Sequence, residues 1–254
     1  MTGYAPWQGH RPALDDVAAT ALIHRACPDL MDERGRRVGE GFDFEIFLVG
    51  DLAFRFPKRE AHQARLDREL RLLPLVASKT TLPTVVVKRG PFSVDGFPWR
   101  FAAMNWLPGR LMFDEDPRDH DLQRIGHQLG TFMRELASMP AAEVRVVCPE
   151  IPLQRPEYET WRGKQLAILD TLRPHDTNGV VDRLVESARV DTVPELPPES
   201  QLVFVHSDLH GENLLLDDHG VAGVIDFGDL CIGDPAFDLA GILSWGGQGL
   251  LDAT

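Results

Sequence analysis

The 254-residue sequence predicts an α+β fold of two lobes, a β-rich N-terminal lobe that includes a helix and a mainly α-helical C-terminal lobe. Strand-like segments dominate before residue 105, and helical periodicity dominates after the break at Pro108-Gly109. Two unlike halves of this kind indicate a cleft between two lobes. We therefore predict lobes at residues 1–104 and 105–254, with a hinge at about 104–109.

Two helices are predicted in the N-terminal lobe. Apolar residues recur at helical spacing from Leu14 onward, so a helix should cover residues 14–27 and end at Pro28. Residues 61–77 carry a second helical stripe of leucine and valine.

The strands of this lobe begin with a predicted hairpin. Residues 45–49 and 52–56 are β-like and meet at Gly50-Asp51, a turn dipeptide. Further strands are predicted over residues 84–88 and 97–104. The lobe should therefore contain a small sheet with a helix against it.

Helices dominate the C-terminal lobe. Residues 119–138 and 158–172 carry clear helical periodicity, and residues 178–190 carry a weaker one. The proline-rich residues 191–200 predict an extended loop. The apolar run that follows, residues 202–205, has the length and β-branching of a buried strand.

The composition is that of an ordinary globular protein. Hydrophobic residues make up 43% of the chain and charged residues 26%, which excludes a disordered or fibrous protein. No apolar run reaches the roughly 18 residues of a membrane-spanning helix. The N-terminus lacks a secretory apolar stretch, and the three cysteines lack metal-site spacing, so we expect a cytoplasmic protein.

The charge balance restricts the partners. There are 26 basic and 39 acidic residues, a net charge of −13. Nucleic-acid binding needs a surplus of lysine and arginine, so nucleic acid is not an expected partner. An acidic cleft would attract a cationic small molecule. A surface that is acidic only to keep the protein soluble explains the net charge of −13 equally well.

Polar residues concentrate between the apolar runs of residues 202–240. The strand 202–205 leads directly into Asp208, and a second apolar run, 221–225, ends at Asp226, with Asn213 in the loop between them. These side chains should meet at one place. Mg²⁺ takes hard oxygen ligands, so Asn213 and Asp226 fit a magnesium site. Asp208 can face the same place and accept a proton from a hydroxyl group.

These segments resemble a known family. The run H-S-D-L-H-G-E-N at 206–213, followed by I-D-F-G-D at 225–229, resembles the catalytic and metal-binding segments of the aminoglycoside phosphotransferase-like kinases. That superfamily includes macrolide, choline and homoserine kinases and shares the protein-kinase fold. Ser207 replaces the arginine of protein kinases, as is usual in the small-molecule branch, which argues against a protein kinase.

The resemblance implies a bilobal, protein-kinase-like fold and a phosphotransferase that uses Mg²⁺. Such an enzyme moves the γ-phosphate of ATP or GTP to a hydroxyl of a small molecule, here by preference an aminoglycoside or macrolide antibiotic, as in resistance kinases. Asp208 would be the catalytic residue, with Asn213 and Asp226 as metal ligands. A metabolite such as choline or homoserine is the alternative acceptor.

The resemblance also assigns roles in the N-terminal lobe. Arg55 stands where most members have a phosphate-contacting lysine, and Glu69 matches the glutamate that pairs with it. Ala53 shares a strand face with Arg55 and would leave room for the base. Lys58 is the other basic candidate, but its position at the strand end predicts that it faces away.

The remaining nucleotide contacts are expected from three segments. Gly41, in the loop 39–42, would position the nucleotide, and backbone groups of Met104 and Asn105 would bond the purine edge. His210 would contact the γ-phosphate.

One feature departs from the family. Its members continue through further helices after the segment D-P-A-F-D-L-A, whereas this chain is short at its C-terminus and stops at Thr254. An alternative function is therefore a nucleotide-binding protein of the same fold with an incomplete acceptor lobe and little catalysis. Intact Asp208, Asn213 and Asp226 argue for catalysis.

Overall fold

The computed structural model describes residues 14–154, 158–176, 178–188, 198 and 201–254, so the predicted loop 191–200 lies outside the described residues except for position 198. The N-terminal half holds an antiparallel five-stranded sheet in the order β1-β2-β3-β5-β4. Its strands are β1 (Arg36–Glu40), β2 (Phe44–Val49), β3 (Leu52–Pro57), β4 (Val87–Phe92) and β5 (Phe101–Asn105).

The C-terminal half holds two small sheets, β6-β8-β9 and β10-β7. Their strands are β6 (Arg110–Leu111), β7 (Val203–Val205), β8 (Leu214–Asp217), β9 (Gly220–Val224) and β10 (Cys231–Gly233). The helices of the whole chain are α1 (Asp16–Ala26), α2 (Glu60–Lys79), α3 (Leu122–Ala137), α4 (Ala141–Val147), α5 (Tyr158–Leu172), α6 (Val180–Ala188) and α7 (Ala236–Ala253). The predicted α+β class is confirmed.

The outer face of the five-stranded sheet packs under α1. Asp15 caps this helix through its carboxylate, which accepts the N–H of Ala18 at 2.7 Å. Phe54 and Phe56 point to this side of β3 and join other aromatic rings in a buried cluster. Side chains alternate along a strand, so Ala53 and Arg55 face the opposite side, toward α2.

The larger core lies between α2 and the C-terminal half. Leu66, Leu73 and Val76 of α2 are fully buried and belong to one cluster with Phe132 of α3 and Phe227. Burial of side chains of this size stabilises the fold by about 1.5–3 kcal/mol each. This packing fixes α2 against the segment that follows β9, which is the segment predicted to bind metal.

The predicted hairpin is confirmed, but two neighbouring predictions are wrong. β2 and β3 pair antiparallel from Phe44–Pro57 to Val49–Leu52. Residues 39–42, predicted as a loop, begin inside β1, so the turn that joins β1 to β2 shrinks to residues 41–43. β4 begins at Val87 rather than at residue 84, because Thr84 instead pairs in parallel with Val224 of β9.

Helices α3 and α7 cross in close contact at glycine. A Cβ on Gly126 would lie 2.5 Å from the Ala253 Cβ and 2.7 Å from its carbonyl carbon, and Gly130 faces the Thr254 backbone equally closely. We expect Gly126→Ala to lower the free energy of unfolding by about 1–3 kcal/mol, because the inserted methyl forces the helices apart.

Gly163→Ala is the matched control, since Gly163 is an exposed residue of α5 whose added Cβ would meet nothing within 4 Å. That control should stabilise by up to about 1 kcal/mol, because alanine is the better helix former. Urea unfolding measures both variants. A Gly126→Ala protein as stable as the parent would contradict the close crossing.

Candidate active site

Arg55 is the centre of the site. It projects from β3 toward α2 and is 6% exposed. Its Nη1 donates to Glu69 Oε1 of α2, and its Nη2 donates to Asp226 Oδ1 at 2.8 Å. The guanidinium also lies 4.2 Å from the centroid of the Phe44 ring. One arginine thus joins the sheet, the helix and the segment after β9.

The electrostatics of this cluster depend on burial. Full burial raises the pKa of Glu69, and the nearby Arg55 opposes the rise. Partial burial would also raise the pKa of Asp226, but attraction to Arg55 outweighs it and the pKa lies below its usual range. Asp226 is therefore a carboxylate at neutral pH, and its side chain is 45% exposed, so it remains accessible to a ligand.

The loop after β7 presents Asp208. The Asn213 Nδ2 donates to the Asp208 backbone oxygen at 2.8 Å and to its Oδ2 at 2.9 Å. The other carboxylate oxygen, Oδ1, lies 3.2 Å from His210 Nε2. His210 Nδ1 accepts the N–H of Glu212, which places the ring proton on Nε2 and makes it the donor to Asp208. The carboxylate is thus held from two sides.

His210 has a contact that was not predicted. Its imidazole lies against the Asp208 carboxylate, and the expected contact with the γ-phosphate stays a prediction. The cause is local: the short turn at residues 211–213 brings the Glu212 N–H to the ring, and this bond fixes the ring orientation.

The loop is anchored from below by α7. Asp238 is 1% exposed, and its carboxylate accepts the N–H of His206 at 3.0 Å and that of Leu209 at 3.3 Å. The His206 ring packs against Phe227 with 4.9 Å between centroids. These contacts give the loop backbone buried partners on both sides of Asp208.

Two residues of the site have a left-handed backbone. Ser207 has φ of 69° and Asp226 has φ of 60°, and in the described part of the chain only these two non-glycine residues have positive φ. Such a conformation costs about 1–3 kcal/mol for a residue with a Cβ and is concentrated at functional sites. Ser207 directly precedes the predicted catalytic residue Asp208, and Asp226 is itself a predicted metal ligand.

Asn213 and Asp226 lie on neighbouring backbone segments. The Ile225 N–H donates to the Asn213 backbone oxygen at 3.0 Å, so Asp226 follows immediately beside Asn213. Because the Asn213 Nδ2 is taken by Asp208, the amide oxygen Oδ1 is left for another ligand. No cluster of three or more His, Cys, Asp or Glu side chains suited to a metal occurs among the residues described. One carboxylate and one amide fit Mg²⁺, which keeps waters and phosphate oxygens as its other ligands.

The glycine turn lies at the end of β1. Lys58 Nζ donates to the Gly41 carbonyl at 2.7 Å and to Glu40 Oε1 at 2.9 Å. Lys58 thus contacts this turn, whereas Glu69 contacts Arg55. A Cβ on Gly41 would meet no atom within 4 Å, so the space over the turn is open to a ligand.

The predicted purine contact at Met104 is wrong. The sheet pairs Met104 with Ala53 on one side and with Val87 on the other, so its backbone lies inside the ladder, and its side chain is 1% exposed. The Asn105 N–H is also occupied, because it donates to the Val86 carbonyl at 3.2 Å. Further along the same segment, the Leu107 N–H has no backbone hydrogen-bond partner among the described residues.

Sequence reasoning missed one polar bridge. Arg65 of α2 contacts Asp43 in the glycine turn at 2.8 Å and Asp229 at 3.1 Å. Arg68, one turn further on, donates to the Gly228 carbonyl at 2.8 Å. These bonds connect the glycine turn to the segment that carries Asp226. Their partners lie far apart in sequence, so no local spacing signals them.

Comparisons with known proteins identify the family of this chain. Residues 34–253 match the model of the phosphotransferase enzyme family APH. The chain is 30% identical over 227 residues to viomycin phosphotransferase of Streptomyces vinaceus, covering 85% of this chain and 75% of that one.

Solved structures of the same fold include the GDP complex of wild-type aminoglycoside 2'-phosphotransferase-IIIa, with a TM-score of 0.75 and 24% identity over 94% of this chain and 81% of that one. Macrolide 2'-phosphotransferase MphH from Brachybacterium faecium matches with a TM-score of 0.57 and 20% identity over 87% and 75% of the two chains. None of the helices in the described ranges is long and apolar enough to cross a membrane. The chain belongs to the APH phosphotransferase enzyme family and is a small-molecule kinase that transfers phosphate to an alcohol group.

Proposed function

We propose that the protein transfers the γ-phosphate of ATP or GTP to a hydroxyl of an antibiotic, by preference a cationic one such as an aminoglycoside, in a Mg²⁺-dependent reaction in the cytoplasm. The observation that carries this proposal is Arg55, which contacts Glu69 and Asp226 at once. It links the N-terminal sheet to the pair Asn213 and Asp226, beside Asp208. We place the cleft between lobes 1–104 and 105–254.

The nucleotide would lie between the glycine turn and the oxygen pair. Arg55 supplies a fixed positive charge for the phosphates, and Ala53 on the same strand face leaves room for the base. Asn213 and Asp226 would hold Mg²⁺, which neutralises charge on the β- and γ-phosphates when bound. Gly41 lets the turn approach the phosphates without a side chain in the way.

The acceptor hydroxyl would be oriented by Asp208. Asn213 and His210 fix its carboxylate, so the oxygen lone pairs they leave free point in a set direction. Phosphoryl transfer passes through a loose transition state and needs little base strength. Asp208 therefore acts mainly by positioning the hydroxyl in line and by taking its proton late.

The charges near Asp208 favour a cationic acceptor. Partial burial raises the pKa of Asp229, Arg65 opposes the rise, and the negative charges of Asp208, Asp226 and Asp43 add to it. Burial is the largest cause of this raised pKa, and the three neighbouring carboxylates add a smaller contribution from their negative local potential. Together with the net charge of −13, this potential would draw a polycation into the cleft.

A transfer assay tests the proposal. The purified protein is incubated with Mg²⁺, γ-labelled ATP or GTP, and a panel of aminoglycosides, viomycin and macrolides. We expect label on at least one cationic acceptor, and no label in the same reaction with Asp208→Asn. Nucleotide binding without transfer to any compound would instead favour the nucleotide-binding alternative. Transfer to macrolides alone would contradict the preference for a cation.

Loss of Asp226 should remove metal-dependent nucleotide binding. Asp226→Ala deletes the one carboxylate of the predicted magnesium pair, so Mg·ATP and Mg·GTP affinity should fall to the level measured with a chelator present. Titration calorimetry measures this. Asp218→Ala is the control, because Asp218 is a 91% exposed carboxylate on the turn after β8. Unchanged Mg-nucleotide affinity in Asp226→Ala would disprove the metal assignment.

A further inference from the structure

Gln154 contacts the catalytic loop from a segment outside the predicted machinery. Its Oε1 accepts a hydrogen bond from Ser207 Oγ at 2.5 Å and another from Cys231 Sγ at 3.1 Å. Ser207 immediately precedes Asp208 and lies outside the metal pair and the arginine cluster. The contact therefore acts on the backbone that carries the catalytic carboxylate.

The position of Gln154 is set by backbone bonds. The Gln154 N–H donates to the Ile232 carbonyl at 2.8 Å, and the Ile232 N–H donates to the Pro152 carbonyl at 2.9 Å. Leu153 forms a parallel bridge with Ile232 of β10. Residues 152–154 thus run along the edge of the sheet that ends in the catalytic loop, which places the side-chain oxygen with little freedom.

Cys231 is a second hydrogen-bond donor to Gln154 Oε1. It is 1% exposed, and burial raises the pKa of its thiol to about 11, so the sulfur keeps its proton at neutral pH. Cys231 also pairs with Val205, the last residue of β7. Gln154 is consequently tied to the strand that leads into the loop and to the loop itself.

Ser207 needs this hydrogen bond because its backbone is strained. Its φ of 69° lies in the left-handed region, which disfavours every residue with a Cβ and which glycine adopts freely. If Ser207 relaxed to an ordinary conformation, the peptide leading to Asp208 would rotate, and the carboxylate would leave its place beside Asn213. The bond from Ser207 Oγ to Gln154 opposes that relaxation.

We propose that Gln154 is a positioning residue that holds Ser207 in its left-handed conformation and so aims Asp208 at the acceptor hydroxyl. This inference rests on the proposed function for the role of Asp208. It differs from a general stabilising role, because the need for Gln154 disappears when residue 207 has no Cβ. Glycine at that position adopts the same φ without a hydrogen bond to Gln154.

The test is a double-substitution cycle of Gln154→Ala and Ser207→Gly. In the parent protein, Gln154→Ala should lower kcat by about 10–100-fold, the scale of a misplaced reacting group, with the nucleotide KM unchanged. In the Ser207→Gly background, the same substitution should change kcat by less than about three-fold. An equal loss of kcat in both backgrounds would overturn the proposal.

Two further measurements distinguish a failure of the Gln154 proposal from a failure of the proposed function. Thermal unfolding of the four proteins needs no acceptor, and Gln154→Ala should lower Tm more in the parent than in the Ser207→Gly background. Equal lowering of Tm in both would also overturn the proposal. Asp208→Asn is assayed in parallel: if it keeps full activity, the proposed function fails at Asp208, whereas a failed cycle with inactive Asp208→Asn rejects only the role of Gln154.

Discussion

Asp208→Asn should lower kcat by about 10²–10⁴-fold while nucleotide affinity survives, which is the usual scale for a positioned acid–base group. The substitution keeps the shape of the side chain and removes its charge. Nucleotide binding depends on Arg55, Asn213 and Asp226 in our account, and the amide nitrogen of Asn213 can still bond the carbonyl of the new side chain. Steady-state transfer rates and nucleotide calorimetry measure the two effects separately.

A neighbouring carboxylate controls for the loss of charge. Glu212→Gln removes one negative charge from the exposed surface of the same loop without a side-chain contact to Asp208, so transfer should stay within a few-fold of the parent. If Asp208 served only to hold the loop, Asp208→Asn would lower Tm and its activity would follow the folded fraction. A well-folded Asp208→Asn protein with normal turnover would remove the catalytic role.

Arg55→Ala should have the largest effect on nucleotide binding and on stability together. The substitution leaves the buried Glu69 side chain and the Asp226 carboxylate without their shared cation, and breaking a buried ion pair in this way costs about 3–5 kcal/mol. Stability of a domain is only about 5–15 kcal/mol, so the variant should unfold at much lower urea. Whatever remains folded should bind nucleotide poorly, because the phosphates lose their fixed charge.

Lys58→Ala is the matched comparison on the same strand end. Lys58 bonds the glycine turn and does not contact Glu69, so its removal should weaken nucleotide binding much less and leave stability almost unchanged. Arg55→Lys should keep partial function, since a lysine charge remains but cannot bond both carboxylates in the same fork. Equal losses for Arg55→Ala and Lys58→Ala would contradict the assignment of Arg55.

The strands, helices and site residues that could be predicted are those marked by a pattern in neighbouring residues of the sequence. The hairpin of β2 and β3 followed from two β-like runs and one turn dipeptide, and the alternation of side chains then placed Arg55 on the inner face. Glu69 of α2 was assigned through the family resemblance, and the structure places it in contact with Arg55. The carboxylates Asp208 and Asp226 followed from two short apolar runs, each ending at an acidic residue, together with the family resemblance.

The parts that escaped prediction depend on contacts between distant residues. β1 contains arginines and a glycine and has no apolar alternation, so only its pairing with β2 defines it as a strand. Gln154 meets Ser207 across 53 positions of sequence. Arg65 meets Asp229 across 164 positions. Sequence spacing cannot predict such contacts, because these residues meet only when the whole chain has folded.

The central claim, that Asp208 acts in transfer and Asp226 in metal-dependent nucleotide binding, is tested most directly by single-turnover transfer measured beside nucleotide affinity. The parent, Asp208→Asn and Asp226→Ala proteins are each given Mg²⁺, labelled nucleotide and an acceptor identified in the panel. We predict that Asp208→Asn binds nucleotide like the parent and transfers phosphate at least about 10²-fold more slowly. Asp226→Ala should lose metal-dependent binding and transfer together. Parent-like single-turnover transfer by Asp208→Asn, or parent-like metal-dependent binding by Asp226→Ala, would contradict the account.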